Sequence, residues 1–188
     1  MTNRIGIIAE NNSDVEVIKE ILKKYFNENT YAVKKYIGKG CGKLKQKCTA
    51  WAINLRRSGC NHIIVFHDLD ENDEHSLRCS LEEKINITEN NNSLVVIPIK
   101  EMEAWLLTDI NAIKSAFNLQ KVNKPIRNCE TIDSPKEFLR DIVWKTGKKR
   151  YLNTVHNVKI ASFISKEKFM QCKSYHIFDK YLNEDILI

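Results

Sequence analysis

Proline and glycine are scarce in this chain, at 3 and 6 of 188 residues. That scarcity excludes a collagenous or Pro/Gly-rich disordered chain. No apolar run reaches the roughly 18–20 residues needed to span a bilayer. The opening Met1-Thr2-Asn3-Arg4-Ile5 lacks the apolar core and small-residue cleavage site of a secretory signal. An intracellular, cytoplasmic protein without a membrane partner is therefore expected. No two of the six cysteines (Cys41, Cys48, Cys60, Cys79, Cys129 and Cys172) stand at CxxC spacing. A cysteine zinc site and a disulfide framework are both disfavoured, and reduced thiols are expected.

Acid is also missing locally. Tyr31 to His67 holds no Asp or Glu, yet carries Lys34, Lys35, Lys39, Lys43, Lys45, Lys47, Arg56 and Arg57. A second acid-free stretch, Ile142 to Lys166, carries Lys145, Lys148, Lys149, Arg150, Lys159 and Lys166. Between them lies an acidic block from Asp68 to Glu103, and the net charge is +6. Basic stretches flanking an acidic cluster suit a metal-dependent enzyme acting on a polyanion. The plain alternative is a set of solvated, Lys-rich helix faces.

With 43% hydrophobic residues, the chain is long enough to bury a core of its own. Short apolar runs predict buried strands over 4–9, 31–37, 62–67 and 94–99. Helical spacing predicts helices after Asn12 or Ser13, over 43–57, 74–85, 102–107 and 110–117, and from Pro135 to Trp144. Residues 119–132 read as a loop. The remainder reads as short helices anchored by Phe163, Phe169, Tyr175, Phe178, Tyr181 and Leu182. Trp51, Trp105 and Trp144 are assigned to the core. Alternating strands and helices imply an α/β fold with a mostly parallel sheet flanked by helices.

In such sheets ligands collect at the carboxyl ends of the strands. Glu10, Asp68 with Asp70, and Glu101 with Glu103 each follow a predicted strand. Alternation along an extended segment would set Asp68 and Asp70 on one side. Carboxylates brought together repel unless a cation neutralises them, and oxygen ligands suit Mg²⁺. The competing reading makes Asp70, Asp73 and Glu74 helix caps. Gly38-Lys39-Gly40-Cys41-Gly42 lacks the full P-loop pattern, although its backbone could hold a nucleic-acid phosphate. Asp68 to Asp73 lacks the glycine of a calcium loop. A phosphotransferase of the haloacid-dehalogenase type also uses a DxD, but after its first strand. His67 is expected to pack on the face opposite Asp68, and His62 and His75 to lie at the surface or cap helices. His156, in basic surroundings, is the histidine with a catalytic prospect.

These residues carry a family resemblance. Ile7-Ile8-Ala9-Glu10 before a helix, followed later by Val65-Phe66-His67-Asp68-Leu69-Asp70, resembles the TOPRIM domain of primases, topoisomerases and overcoming-lysogenization-defect (OLD) nucleases. The likeness is closer to small stand-alone TOPRIM-like proteins. It extends through Gly38-Lys39-Gly40 with Lys43-Leu44, Glu103-Ala104-Trp105-Leu106-Leu107-Thr108-Asp109, and Ser134-Pro135-Lys136. A tail pattern at Tyr151 and His156-Asn157-Val158-Lys159-Ile160-Ala161 continues it. Asn11 stands where the family often has Gly, and a left-handed turn is expected there.

The resemblance implies a TOPRIM-like, Rossmann-like core over residues 1–118 and a helical C-terminal extension over 119–188. It implies Glu10 as metal ligand or general acid/base, Asp68 and Asp70 as the metal pair, and Glu103 as a further ligand, with Glu101 and Asp14 nearby. One or two Mg²⁺ or Mn²⁺ ions follow. Lys159 is the candidate for the basic residue at the scissile phosphate, with His156, Lys148 and Lys149 as further candidates. Lys39, Lys43, Lys148 and Lys149 are the candidate nucleic-acid contacts, with DNA favoured over RNA. The implied activity is Mg²⁺-dependent cleavage of nucleic-acid phosphodiesters. OLD nucleases carry an ATPase on the same chain, so a separately encoded ATPase is implied here, in a phage-defence or DNA-processing system. A non-catalytic subunit binding nucleic acid or an ATPase is the alternative, and homo-oligomerisation is left open.

Overall fold

A computed structural model describes residues 3–38, 40–86, 92–122, 126 and 128–186. The apolar runs form β1 (Asn3–Ala9), β2 (Tyr31–Ile37), β3 (His62–Phe66) and β4 (Ser93–Val96). All three pairings are parallel, and the order is β2-β1-β3-β4. Parallel neighbours need crossovers, which α1 (Asn12–Leu22), α2 (Cys41–Arg57) and α3 (Glu74–Ile85) provide. The fold is α/β and Rossmann-like.

Period-two alternation divides the strand side chains between two apolar layers. Ile5, Ile7, Ala9, Ile64, Phe66 and Val96 share one core with α1 and the C-terminal segment. Ile8, Ile63, Val65 and Val95 share the other with α2 and α3. Gly6 lets α2 approach: a Cβ there would stand 2.9 Å from Leu55 Cδ1 and from Ile63 Cδ1.

Six α-helices follow the sheet among the described residues: α4 (Glu103–Leu106), α5 (Ile110–Phe117), α6 (Pro135–Gly147), α7 (Asn153–Phe163), α8 (Lys166–Phe169) and α9 (His176–Glu184). Helix α7 packs on α1 and α5, and α9 reaches β4. Trp105 is the pivot, fully buried, with its indole N–H donated to Ser174 Oγ at 2.8 Å and its ring edge-on to Phe66 and Tyr175. Tyr25 extends the tie, its hydroxyl 2.8 Å from that of Tyr175.

Several expectations are corrected. Strand β4 ends at Val96 rather than Ile99, because Pro98 has no N–H to donate. The backbone pairing continues beyond it, from His67 N–H to Val96, Leu69 N–H to Pro98 and Asp70 N–H to Lys100. Ile99 is bypassed, and Asp70 and Lys100 both turn left-handed (φ 46° and 64°). The alternation expected to align Asp68 with Asp70 therefore does not run through. Asn11 is extended (φ −129°) rather than left-handed, and it caps α1 one residue earlier than expected. Trp144 is 54% exposed and Phe163 51% exposed, so neither is core. Trp51 is half-buried and stacks on Tyr36 at 5.4 Å. His62 is buried and bonded to the Tyr181 hydroxyl at 3.0 Å. No helix among the described residues is long and apolar enough to cross a membrane.

Candidate active site at the carboxyl edge of the sheet

From β1 the chain steps outward to β2 on one side and to β3 on the other. The carboxyl ends of β1 and β3 thus flank the switch point, where a crevice opens in a parallel sheet. Glu10 leaves β1 there, and His67 and Asp68 leave β3. The segment after β4 brings Glu101 and Glu103, and the first turn of α1 brings Asp14. Glu10, Asp14 and Glu103 are all buried.

Glu10 Oε1 lies 3.1 Å from His67 Nδ1. That nitrogen stands 2.7 Å from the Asp68 carbonyl oxygen, to which it donates. Glu10 Oε1 and His67 Nε2 are both buried without a hydrogen-bond partner. Burial, then the charges of Asp70 and Asp14, push the Glu10 carboxyl from 4.5 up to about 7, against the Asp68 backbone and the Lys45 charge. Burial raises Asp14 from 3.8 to about 6 despite the 2.9 Å hydrogen bond it accepts from Asn11 N–H. Burial and the charges of Asp14, Glu103, Glu10 and Asp70 hold Asp68 well above the usual carboxylate range. Its Oδ1 accepts from Met102 N–H at 2.9 Å, which ties β3 to the start of α4.

The segment Glu103 to Asp109 is mostly wiring. Trp105 fills the core, the Thr108 hydroxyl donates to the Trp105 carbonyl, and Asp109 caps α5 through Asn111 and Ala112 N–H. Glu103 turns to the crevice instead. Its Oε1 lies 3.1 Å from the Tyr151 hydroxyl and 3.0 Å from Asn157 Nδ2, so the tail pattern holds this acid. Glu101 Oε2 accepts from Lys136 N–H at 3.0 Å, behind Pro135 at the start of α6. Glu101 is therefore committed to capping α6. Asp70, Lys100, Glu101 and Ser134 line a cavity of about 220 Å³ beside the crevice.

A family model described as a domain of unknown function, DUF4276, matches residues 9–183. The chain belongs to the DUF4276 family. The matched span opens one residue before Glu10 and takes in every group of the crevice. No curated protein and no solved structure matches the chain.

The basic candidates of this DUF4276 chain are placed differently. Lys159 is exposed on α7, two residues past Asn157. His156 stacks on Phe117 at 4.4 Å, and its Nδ1 accepts from Leu152 N–H, which closes the first turn of α7. Lys148 ends α6 in a left-handed turn, with Nζ 5.7 Å from the Trp144 ring centre. Lys149 Nζ donates to the Phe117 carbonyl. Lys43 is exposed in the first turn of α2, and Lys39 lies outside the described residues. The lysines whose charge acts on the carboxylates are Lys45, on Glu10, and Lys136, on Asp14 and Glu101.

The DUF4276 carboxylates offer hard oxygen donors of the kind Mg²⁺ and Mn²⁺ take. The unpartnered Glu10 Oε1 is an oxygen that such an ion would satisfy. Among the described residues no three His, Cys, Asp or Glu side chains are already gathered around one point that could hold a metal. The donor chemistry fits an ion, while the side chains stand apart from a closed coordination shell. Lys45, Lys136, Tyr151 and Asn157 are residues of the crevice that sequence reading gave no individual role, and His67, expected to pack on the face opposite Asp68, is buried beside Glu10. The signal for Tyr151 and Asn157 was the tail pattern itself, which named them without their partner.

Proposed function

We propose that this DUF4276 chain is a Mg²⁺- or Mn²⁺-dependent phosphodiesterase acting on nucleic acid, of the TOPRIM type that its motifs resemble. One observation carries the reading. Glu10 and Asp68 flank the switch point of a parallel sheet, repel each other in a buried crevice, and leave Glu10 Oε1 without a partner. Buried carboxylates held together at such a cost are a mark of functional sites.

Glu10, Asp68 and Asp70 would hold the ion, with Glu103 behind them. When bound, it supplies Lewis-acid polarisation and charge neutralisation at a phosphate. Glu10, raised to about 7 in the crevice, would have to be ionised to hold the ion, so binding would be favoured at higher pH. Lys45 and Lys136 offer positive charge to the phosphate oxygens from two sides. Tyr151 and Asn157 fix Glu103, and His67 packs against Glu10 from the end of the neighbouring strand. Glu101 is not assigned to the ion, because α6 already uses it.

The test is incubation of the purified chain with supercoiled, linear and single-stranded DNA and with structured RNA, in Mg²⁺, Mn²⁺ or EDTA. Asp68→Asn runs alongside, because Asn keeps an acceptor for Met102 N–H and removes the charge. Metal-dependent cleavage that Asp68→Asn lowers by 100-fold or more is expected. Cleavage in EDTA, or an unchanged rate in Asp68→Asn, overturns the reading. Calorimetric binding of Mn²⁺ without cleavage by the chain alone would point to activation by a separate ATPase. Neither cleavage nor Mn²⁺ binding would leave a non-catalytic binding subunit.

A further inference from the structure

Tyr151 faces two environments. Its hydroxyl touches Glu103 in the crevice, while the residue also lines a groove of about 440 Å³ between α6 and the segment that follows it. Arg140, Asp141, Trp144, Lys149, Arg150 and Leu152 line the same groove. Trp144 is the most exposed large apolar side chain among the described residues, although it shares its helix with buried Leu139, Ile142 and Val143.

The surroundings of that indole are cationic. Lys145, Lys148, Lys149 and Arg150 follow it within six residues, and no acid appears until Glu167. Lys148 Nζ stands over the Trp144 ring. The acids within reach are already paired, Asp141 with Lys145 and Glu137 with Arg140, all on the exposed face of α6. Those pairs are exposed and therefore weak, so a phosphate can compete for the cations.

We propose that this groove binds single-stranded nucleic acid. A base stacks on Trp144, and backbone phosphates lie against Arg140, Lys148 and Arg150, so that the strand runs past Tyr151 toward the crevice. An aromatic face flanked by cations is the usual platform for an unpaired strand, because every base has a π face to offer. A duplex hides those faces in its own stack, so the exposed indole selects for single strands. The inference deepens the reading above by giving it a substrate class, and its test needs no catalysis.

The test is fluorescence anisotropy of a labelled thymidine 20-mer with the full chain in EDTA, where metal-dependent cleavage cannot occur. Trp144→Ala is expected to weaken binding about tenfold, and Trp144→Phe to restore most of it. Arg150→Ala is expected to weaken binding and to lower its dependence on salt by about one counterion. A duplex of equal length should bind more weakly and be indifferent to Trp144. Binding of the 20-mer unchanged in Trp144→Ala overturns the proposal, as does tighter binding of the duplex. Displacement of the strand by polyglutamate at equal charge also overturns it and assigns the groove to an acidic protein partner. The two readings fail separately. Trp144-dependent binding without cleavage by any metal-loaded sample keeps the groove and discards the phosphodiesterase. Cleavage with Trp144-independent binding does the reverse.

Discussion

Glu10 and His67 are locked side by side at the switch point, with Glu10 Oε1 3.1 Å from His67 Nδ1, yet no hydrogen bond joins them. The Nδ1 proton is committed to the Asp68 carbonyl. Burial holds the imidazole below its ordinary 6.5, so it is neutral at physiological pH and offers the carboxylate no charge. Glu10 is thus a buried carboxyl whose Oε1 has no hydrogen-bond partner, and the Asp68 backbone and the Lys45 charge offset its burial only in part. Glu10→Gln should raise the melting temperature at pH 8 in EDTA. The raised carboxyl, about 7 against 4.5, corresponds to about 3 kcal/mol at one pH unit per 1.36 kcal/mol. For a chain of this size that amounts to several degrees. The same variant should lose its response to Mn²⁺, which differential scanning calorimetry would read in both buffers.

The raised carboxylates also give stability a pH dependence with a definite sign. The folded chain keeps protons on Glu10 and Asp14 that the unfolded chain has already released above 4.5 and 3.8. Stability in EDTA should therefore fall as pH rises from about 4 to about 7, since the unfolded state binds fewer protons there. His62 acts in the opposite sense. Burial lowers it below 6.5, so its contribution is present above 6.5 and lost as pH falls. The difference between Mn²⁺ and EDTA cancels this remote histidine. Stabilisation by Mn²⁺ should be about 5–10 °C at pH 8, at an ion concentration near 100 times its dissociation constant. At pH 5 it should shrink toward zero. Equal stabilisation at both values would remove the carboxylates from the ion's site.

The parts of this molecule that could be read from its sequence are those set by local pattern. The runs Ile5–Ala9 and Ile63–Phe66 are apolar whichever neighbours they find, so the parallel strands and their acidic carboxyl edge follow from alternation and chain direction. What escaped depends on partners far along the chain. His62 reads as a surface histidine until Tyr181 is placed against it. Trp144 and Phe163 read as core because aromatic residues usually are, and only the packing of α6 and α7 decides which side they take. Lys45 and Lys136 were two lysines among many. The family resemblance pointed to Lys159, with Lys148 and Lys149 behind it, whereas proximity to the acids is set by where α2 and α6 begin.

The contrast between two tryptophans tests the packing directly. Trp105 is wholly enclosed by Phe66, Tyr175 and Phe178, and its N–H is satisfied by Ser174. Trp105→Ala should cost about 3–5 kcal/mol, the range for large-to-small changes in a core. Trp144→Ala, at an exposed site, should move stability by no more than about 0.5 kcal/mol. Urea denaturation followed by far-ultraviolet circular dichroism would separate the two. A large loss in Trp144→Ala would mean that this ring supports the fold rather than a ligand.

Tyr151 and Asn157 reach Glu103 from the tail, 48 and 54 residues away in sequence, and neither has a charge to give an ion. Their effect on the proposed chemistry must pass through the orientation of the carboxylate. Tyr151→Phe keeps the ring, its burial and its contact with Phe117, and removes only the hydroxyl that lies between Glu103 and Asn157. Loss of such an outer contact commonly costs 10- to 100-fold in metal affinity or activity. The expected result is a Mn²⁺ titration midpoint about tenfold higher, with the melting temperature in EDTA little changed. A purely structural role would instead lower the melting temperature in EDTA and leave the midpoint where it was. If the midpoint does not move while stability falls, Glu103 belongs to the scaffold and the ion's carboxylates narrow to Glu10, Asp68 and Asp70.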